Sequence, residues 1–115
     1  MSNTLLDPSE EFYGYIKNIT GVPVYEDHPE KDATFPCISY NLTDNTPHYD
    51  MSGNIANQTI EFTLDIFANS PTEVSEILTT LEGLVREHNY ILDYNVPVSD
   101  PDGYSHRNVR FKLIS

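Results

Sequence analysis

Positive charge is scarce in this chain, with six Lys and Arg against 18 Asp and Glu, for a formal net charge of −12. Nucleic-acid grip rests on cations that displace counterions from phosphate, so this balance excludes a DNA- or RNA-binding domain of the ordinary kind. It leaves room for a surface past which DNA slides without sticking, and the same charge serves solubility. Cysteine is reduced to Cys37, which excludes an internal disulfide and fits a reducing compartment or indifference to redox state. Cys37 therefore reads as a small, buried or half-buried apolar residue. Tryptophan is absent. Long hydrophobic runs are missing too: nothing approaches the about 20 apolar residues of a membrane span, and residues 1–12 lack the basic start and apolar run of a signal peptide. The expectation is a protein that stays in the cytoplasm where it is made, with no membrane partner. The glycosylation sequons at Asn18, Asn41 and Asn57 then read as chance.

The signatures of chemistry are also missing. Histidines 28, 48, 88 and 106 are scattered, without the i, i+4 spacing or Cys-x-x-Cys partners of a zinc site, so no metal and no cofactor is expected. Among the five glycines there is no Gly-x-Ser-x-Gly elbow, no phosphate-cradling loop and no Gly-x-Gly-x-x-Gly. His48-Tyr49-Asp50 near Asp44 is the nearest approach to an acid/base cluster, but it falls in a segment without hydrophobic period, whereas catalytic groups need a rigid frame. No catalytic set is predicted, and the chain reads as a non-enzyme.

What is present is one domain's worth of alternating pattern. The 115 residues fit a single domain, 1–115, able to bury a core without staples. Asp7-Pro8-Ser9-Glu10-Glu11 is a helix start, and Phe12, Tyr15, Ile16 and Ile19 repeat at helical spacing before Gly21. Residues 22–25 read as a short edge strand because Pro23 cannot donate to a ladder. Residues 26–34 form an acidic, solvated loop. Residues 35–42 alternate, with Ile38, Tyr40 and Leu42 on one face and Cys37, Ser39 and Asn41 on the other. Residues 44–57 lose the period and read as a long flexible loop or hairpin tip. Residues 58–67 are the clearest strand, with Ile60, Phe62, Leu64 and Ile66 on the dry face. Ser70-Pro71-Thr72-Glu73 is a capping box that opens a helix carrying Val74, Ile77, Leu78, Leu81, Leu84 and Val85 inward. Strands at 91–96, stopped by Pro97, and 104–114 close the chain. The order predicts an α+β fold, a mainly antiparallel sheet of about four to five strands with two helices packed on one face.

Two surface features suggest protein contacts. Eight tyrosines include 25, 40, 49, 90, 94 and 104 at strand ends or in loops, where an aromatic body with a polar tip suits an interface, or else rims a small core. Four of the six cations, Arg86, Arg107, Arg110 and Lys112, fall in the last third, an asymmetry that suits head-to-tail contacts between copies and is equally that of a solvated strand face.

Thr20-Gly21-Val22-Pro23-Val24-Tyr25 after an opening helix, Phe35-Pro36-Cys37-Ile38-Ser39-Tyr40, the polar stretch 44–57 and Thr59–Phe67 leading into a capped helix together resemble the tail-completion or tail-terminator (tail-to-head joining) proteins of long-tailed bacteriophages. The likeness spans about residues 8–113, with Cys37 departing from the aromatic often found there. It implies a virion protein assembled in the host bacterial cytoplasm, forming a homo-oligomeric ring, typically of six subunits, that caps the tail tube. Its implied partners are itself, the tail tube protein and a head-closure or connector protein, with DNA passing through unbound. Under that resemblance Asp44, Thr46, His48, Tyr49, Asp50 and Met51 are candidates for a partner- or lumen-facing loop. Glu26, Asp27, Glu30 and Asp32 are candidates to meet Arg107, Arg110 and Lys112 between subunits. The alternatives are another neck or baseplate connector, or an acidic mimic of DNA that inhibits a nucleic-acid enzyme.

Overall fold

The computed structural model describes residues 7–29, 34–98 and 103–114, apart from the side chain of Tyr94. Helix α1 (Ser9–Thr20) is followed by strands β1 (Val24–Glu26), β2 (Cys37–Tyr49) and β3 (Ile55–Ala68), helix α2 (Pro71–His88), and strands β4 (Ile91–Val98) and β5 (Ser105–Ile114). The five strands form one sheet in the order β1-β2-β3-β5-β4. Only β1 runs parallel to its neighbour; the β2–β3, β3–β5 and β5–β4 pairs are antiparallel. The α+β architecture expected from the order of patterns is the one observed.

Local chemistry sets the helix ends. Asp7 Oδ1 accepts from the Ser9 N–H at 3.1 Å and from the Ser9 hydroxyl at 2.6 Å, while Pro8 takes the cap position, one residue later than the sequence suggests. Gly21 closes α1 at φ 69°, a left-handed conformation that costs glycine little. Ser70 Oγ accepts from the Glu73 N–H at 3.2 Å, and Glu73 Oε1 reaches back to the Asn69 N–H at 2.9 Å, a capping pair that starts α2.

Both helices lie on one face of the sheet. Strict alternation along β3 turns Ile60, Phe62, Leu64, Ile66 and Ala68 to that face, where they meet Phe12 and Ile16 of α1 and Val74, Ile77, Leu81 and Leu84 of α2. At the centre, Phe12 stacks on Phe62 with ring centroids 3.9 Å apart and planes within 6°. Tyr40 and Tyr90 pack around this pair, the latter at 5.2 Å from Phe12. Val85, expected inside, stays 41% exposed because its position lies past the edge of the stripe that faces the sheet.

Three departures from the sequence pattern have physical causes. β2 runs on to Tyr49 and β3 begins at Ile55, so most of residues 44–57 belongs to a long hairpin. The register shift between Leu42 and Asp44 puts an extra residue, Thr43, into β2, and the one between His48 and Tyr49 puts Ala56 into β3, so the period of two is scrambled while the ladder continues. β4 passes through Pro97 to Val98, since an edge strand tolerates one missing donor. Cys37 and Ser39, on the face away from the helices, are buried all the same. There Phe35, Phe67 and Tyr104 form a second, smaller aromatic cluster, and Cys37 stands in register with Phe67. Burial pushes the Cys37 thiol pKa up, away from a reactive thiolate.

The hairpin gives the molecule extents of 53 × 27 × 22 Å and a radius of gyration of 15.5 Å. A compact chain of this length has a radius of gyration of about 13 Å. The difference is the far half of β2–β3, which reaches beyond the helices.

Phe62→Ala is expected to cost about 3–5 kcal/mol and lower the melting temperature by about 10–20 °C, because it empties the centre of the stack. Leu92→Ala, at a half-exposed edge position, should cost under about 1 kcal/mol. Thermal denaturation followed by circular dichroism tests both, and a Phe62→Ala protein that melts with the wild type would place the core elsewhere.

Candidate functional site

Four of the six hairpin residues singled out by the sequence, Asp44, Thr46, His48 and Asp50, are held by local bonds. Thr46 donates its hydroxyl to Asp44 Oδ1. His48 Nε2 lies 2.9 Å from Thr59 Oγ1 across the strand pair. Asp50 Oδ1 accepts from the Ser52 and Asn54 N–H groups at 2.9 and 3.0 Å, and Gly53 at φ 82° completes the turn. The His48/Asp50/Asp44 cluster is thus spent on turn and strand structure rather than brought together for proton transfer. Tyr49 and Met51 stand out at the tip instead, 64% and fully exposed.

The alternating register assigns faces along the hairpin. Thr46 and His48 pair with Thr59 and Asn57, on the side of the sheet away from the helices, where Asp44 pairs with Glu61. Nearby, Thr43 Oγ1 reaches Glu61 Oε1 at 3.1 Å and Thr63 Oγ1 at 3.0 Å. Farther along the same face, Asp65 Oδ1 accepts from His106 Nε2 at 2.8 Å and from Asn108 Nδ2 at 3.0 Å. This face is a wet, hydrogen-bonded surface for most of its length. The Asp65–His106–Asn108 group escaped sequence reading because alternation marks Asp65 as outward but nothing local pairs it with residues more than 40 positions on.

The described candidate subunit-interface charges lie toward opposite sides of the sheet. Glu26 ends β1 and is exposed. Asp27, at φ 68°, donates its N–H to the Tyr40 carbonyl at 2.9 Å and accepts from Asn41 Nδ2 at 3.4 Å, so its carboxylate stands free of the backbone bonds that hold it. Glu30 and Asp32 lie outside the described residues. Arg107, Arg110 and Lys112 sit on β5, next to the other edge. Arg110 and Lys112 share the wet face, in register with Thr63 and Glu61. Arg107 does not: it pairs with the core residue Ile66, so alternation sends it to the helix side, where Nη1 donates to Asn95 Oδ1 at 3.1 Å. The basic face is therefore two residues, with a third cation behind it.

The tyrosines divide. Tyr49 is exposed, but Tyr40 and Tyr90 are 7% and 3% exposed and belong to the core rather than to an interface. Burial, then the nearby Glu11 and Tyr15, raises the Tyr90 pKa; burial, then Glu26, raises that of Tyr40. Among the described residues no three His, Cys, Asp or Glu side chains gather as metal ligands, and no helix is long and apolar enough to cross a membrane.

What the described residues offer is a small sheet with acid at one edge, two cations one strand in from the other, a wet face and a projecting tip. The profile of the family described as tail completion protein gp17 matches residues 15–114, and the chain belongs to that bacteriophage tail-completion family. It is accordingly a structural component of the virion tail. Among solved structures it is similar to the bacteriophage SPP1 gp17 protein, at 20% sequence identity over 90% of this chain and 82% of that one, with a TM-score of 0.39. No curated protein matches.

Because Tyr40 and Tyr90 hold their protons more tightly when folded, the unfolded state loses them first as pH rises. Their contribution to stability is complete below the ordinary tyrosine value of 10.0 and is lost above it. Denaturant midpoints should thus fall with pH above about 10, and Tyr90→Phe should flatten that fall. A Tyr90→Phe protein with the wild-type slope would show that the hydroxyl is not held in the core.

Proposed function

We propose that this chain completes the phage tail as a homo-oligomeric ring, typically of six copies, seated on the end of the tail tube and presenting the surface on which the head-closure protein docks. The placement of acid and base at opposite ends of one sheet is the observation that supports a ring. A closed ring needs two different, complementary patches on each copy, and a rigid sheet with Glu26 and Asp27 at one edge and Arg110 and Lys112 beside the other offers such a pair. Arg107 would back the basic patch.

The projecting hairpin serves as the reaching arm. Tyr49 and Met51 supply apolar contact area at its tip, and Asp44, Thr46 and His48 give its flank polar contacts, suited to a groove on the tail tube protein or on a neighbouring copy. Asp50 sets the tip's shape through its turn bonds. DNA passes through the ring without specific binding, since a formal charge of −12 per copy repels phosphate. Catalysis plays no part in this reading; assembly in the bacterial cytoplasm precedes joining to the filled head.

Reversing the basic patch tests the ring. Arg110→Glu combined with Lys112→Glu should leave the melting temperature within a few degrees of wild type and lower the ring fraction in native mass spectrometry by at least tenfold. Unchanged rings in the double variant would remove these charges from the subunit contact.

A further inference from the structure

The free edge of β4 has the makings of a second contact, and we infer that it takes the open edge of β2 from another copy by strand addition, so that the sheet continues from subunit to subunit. Among the described residues β4 is the last strand in the order β1-β2-β3-β5-β4, so its ladder is met by β5 on one side only. Pro97 and one register shift aside, its side chains are not those of a guarded edge. Ile91, Val96 and Val98 point to the wet face, in register with Lys112, Asn108 and His106, at 49%, 36% and 38% exposure, and Leu92 on the helix side is 43% exposed. Asp93 is the one charge in the strand. Proteins usually blunt such edges with several charges or cover them, because an apolar edge with unused N–H and C=O groups templates another strand.

The partner edge is on the same molecule's opposite end. β1 pairs with β2 only at Ile38–Tyr40, so from Asn41 to Tyr49 β2 has β3 on one side and, among the described residues, no strand on the other. That open run of β2 is of the same order of length as β4, which spans eight residues. Charge favours this pairing over β4 against β4. Glu26, Asp27 and Asp44 flank the open part of β2, whereas Arg110 and Lys112 lie one strand behind β4, so β2-to-β4 brings opposite signs together and β4-to-β4 brings like signs. A β2-to-β4 contact is also heterologous, the kind that propagates around a ring. Pro97 and the register shift between Leu92 and Tyr94 limit the registers that β4 accepts, which favours one partner over indiscriminate pairing.

This inference rests on the ring reading, and hydrogen exchange separates the two. Backbone amides of the wild-type chain would be followed by mass spectrometry in the monomer and in the assembled form isolated at known native mass. Exchange in both 41–49 and 91–98 should slow by at least tenfold on assembly, while the exposed ends of α2 exchange as before. Rings that leave both segments unprotected, or that protect 91–98 alone as an edge meeting its own copy would, overturn the strand-addition contact and leave the ring standing. A chain that stays monomeric, with or without tail tubes, overturns both. As an independent arm, Ile91→Lys with Val96→Lys alters exposed positions only; it should melt with the wild type yet lose assembly by at least tenfold, and full assembly of this variant contradicts the proposal.

Discussion

The face-to-face stack of Phe12 on Phe62 ties the first helix to the middle strand of the sheet, and the rest of the molecule follows from where that contact sits. It makes β3 the spine of the core. Phe62 has β2 on one side and β5 on the other, and each supplies core side chains through Ile38, Tyr40, Val109 and Phe111. α2 continues the same apolar floor with Val74, Ile77, Leu81 and Leu84. Two short helices can dry only one face of such a sheet, and only part of its length.

The consequences appear at every margin left uncovered. The far half of the β2–β3 hairpin extends past the helices, held by its own ladder and by the Asp50 turn. The other face is kept stable in water by hydrogen bonds among Thr43, Glu61 and Thr63 and among Asp65, His106 and Asn108. Among the described residues β1 and β4 end the sheet, with acid at the first edge and base one strand in from the second. In the proposed assembly these margins are where further copies or a tail tube would dock.

Much of this was legible in the sequence wherever one face is dry and the other wet. Ile60, Phe62, Leu64 and Ile66 announce β3 by strict alternation, and Ser70 with Glu73 announces α2, because both patterns come from local geometry. The bulged end of β2 was not legible, since an inserted residue at the register shift after Leu42 flips the phase that a reader follows. For Tyr40 and Tyr90 the sequence left interface and core rim both open, because a tyrosine's burial depends on what packs over it, here Phe12, many residues away. The cations show the limit of pattern reading most clearly. Arg107, Arg110 and Lys112 look like one group in the chain, yet a period of two sends the first to the opposite face. For the candidate site, residue types were recoverable but their bonds were not; His48 and Asp50, neighbours but one in the chain, are occupied by Thr59 and by the turn.

Membership in the tail-completion family motivates reading these margins as contact surfaces, through which the proposed ring would meet further copies, the tail tube and the head-closure protein. The most direct measurement is a joining assay: tails assembled without this chain are mixed with filled heads, with and without the purified protein, and infectious particles are counted. The account predicts that particles form only when the protein is added, with density for a ring at the junction seen by electron microscopy. Tails that join heads equally well in its absence, or joined particles with no copy of it at the junction, would contradict it.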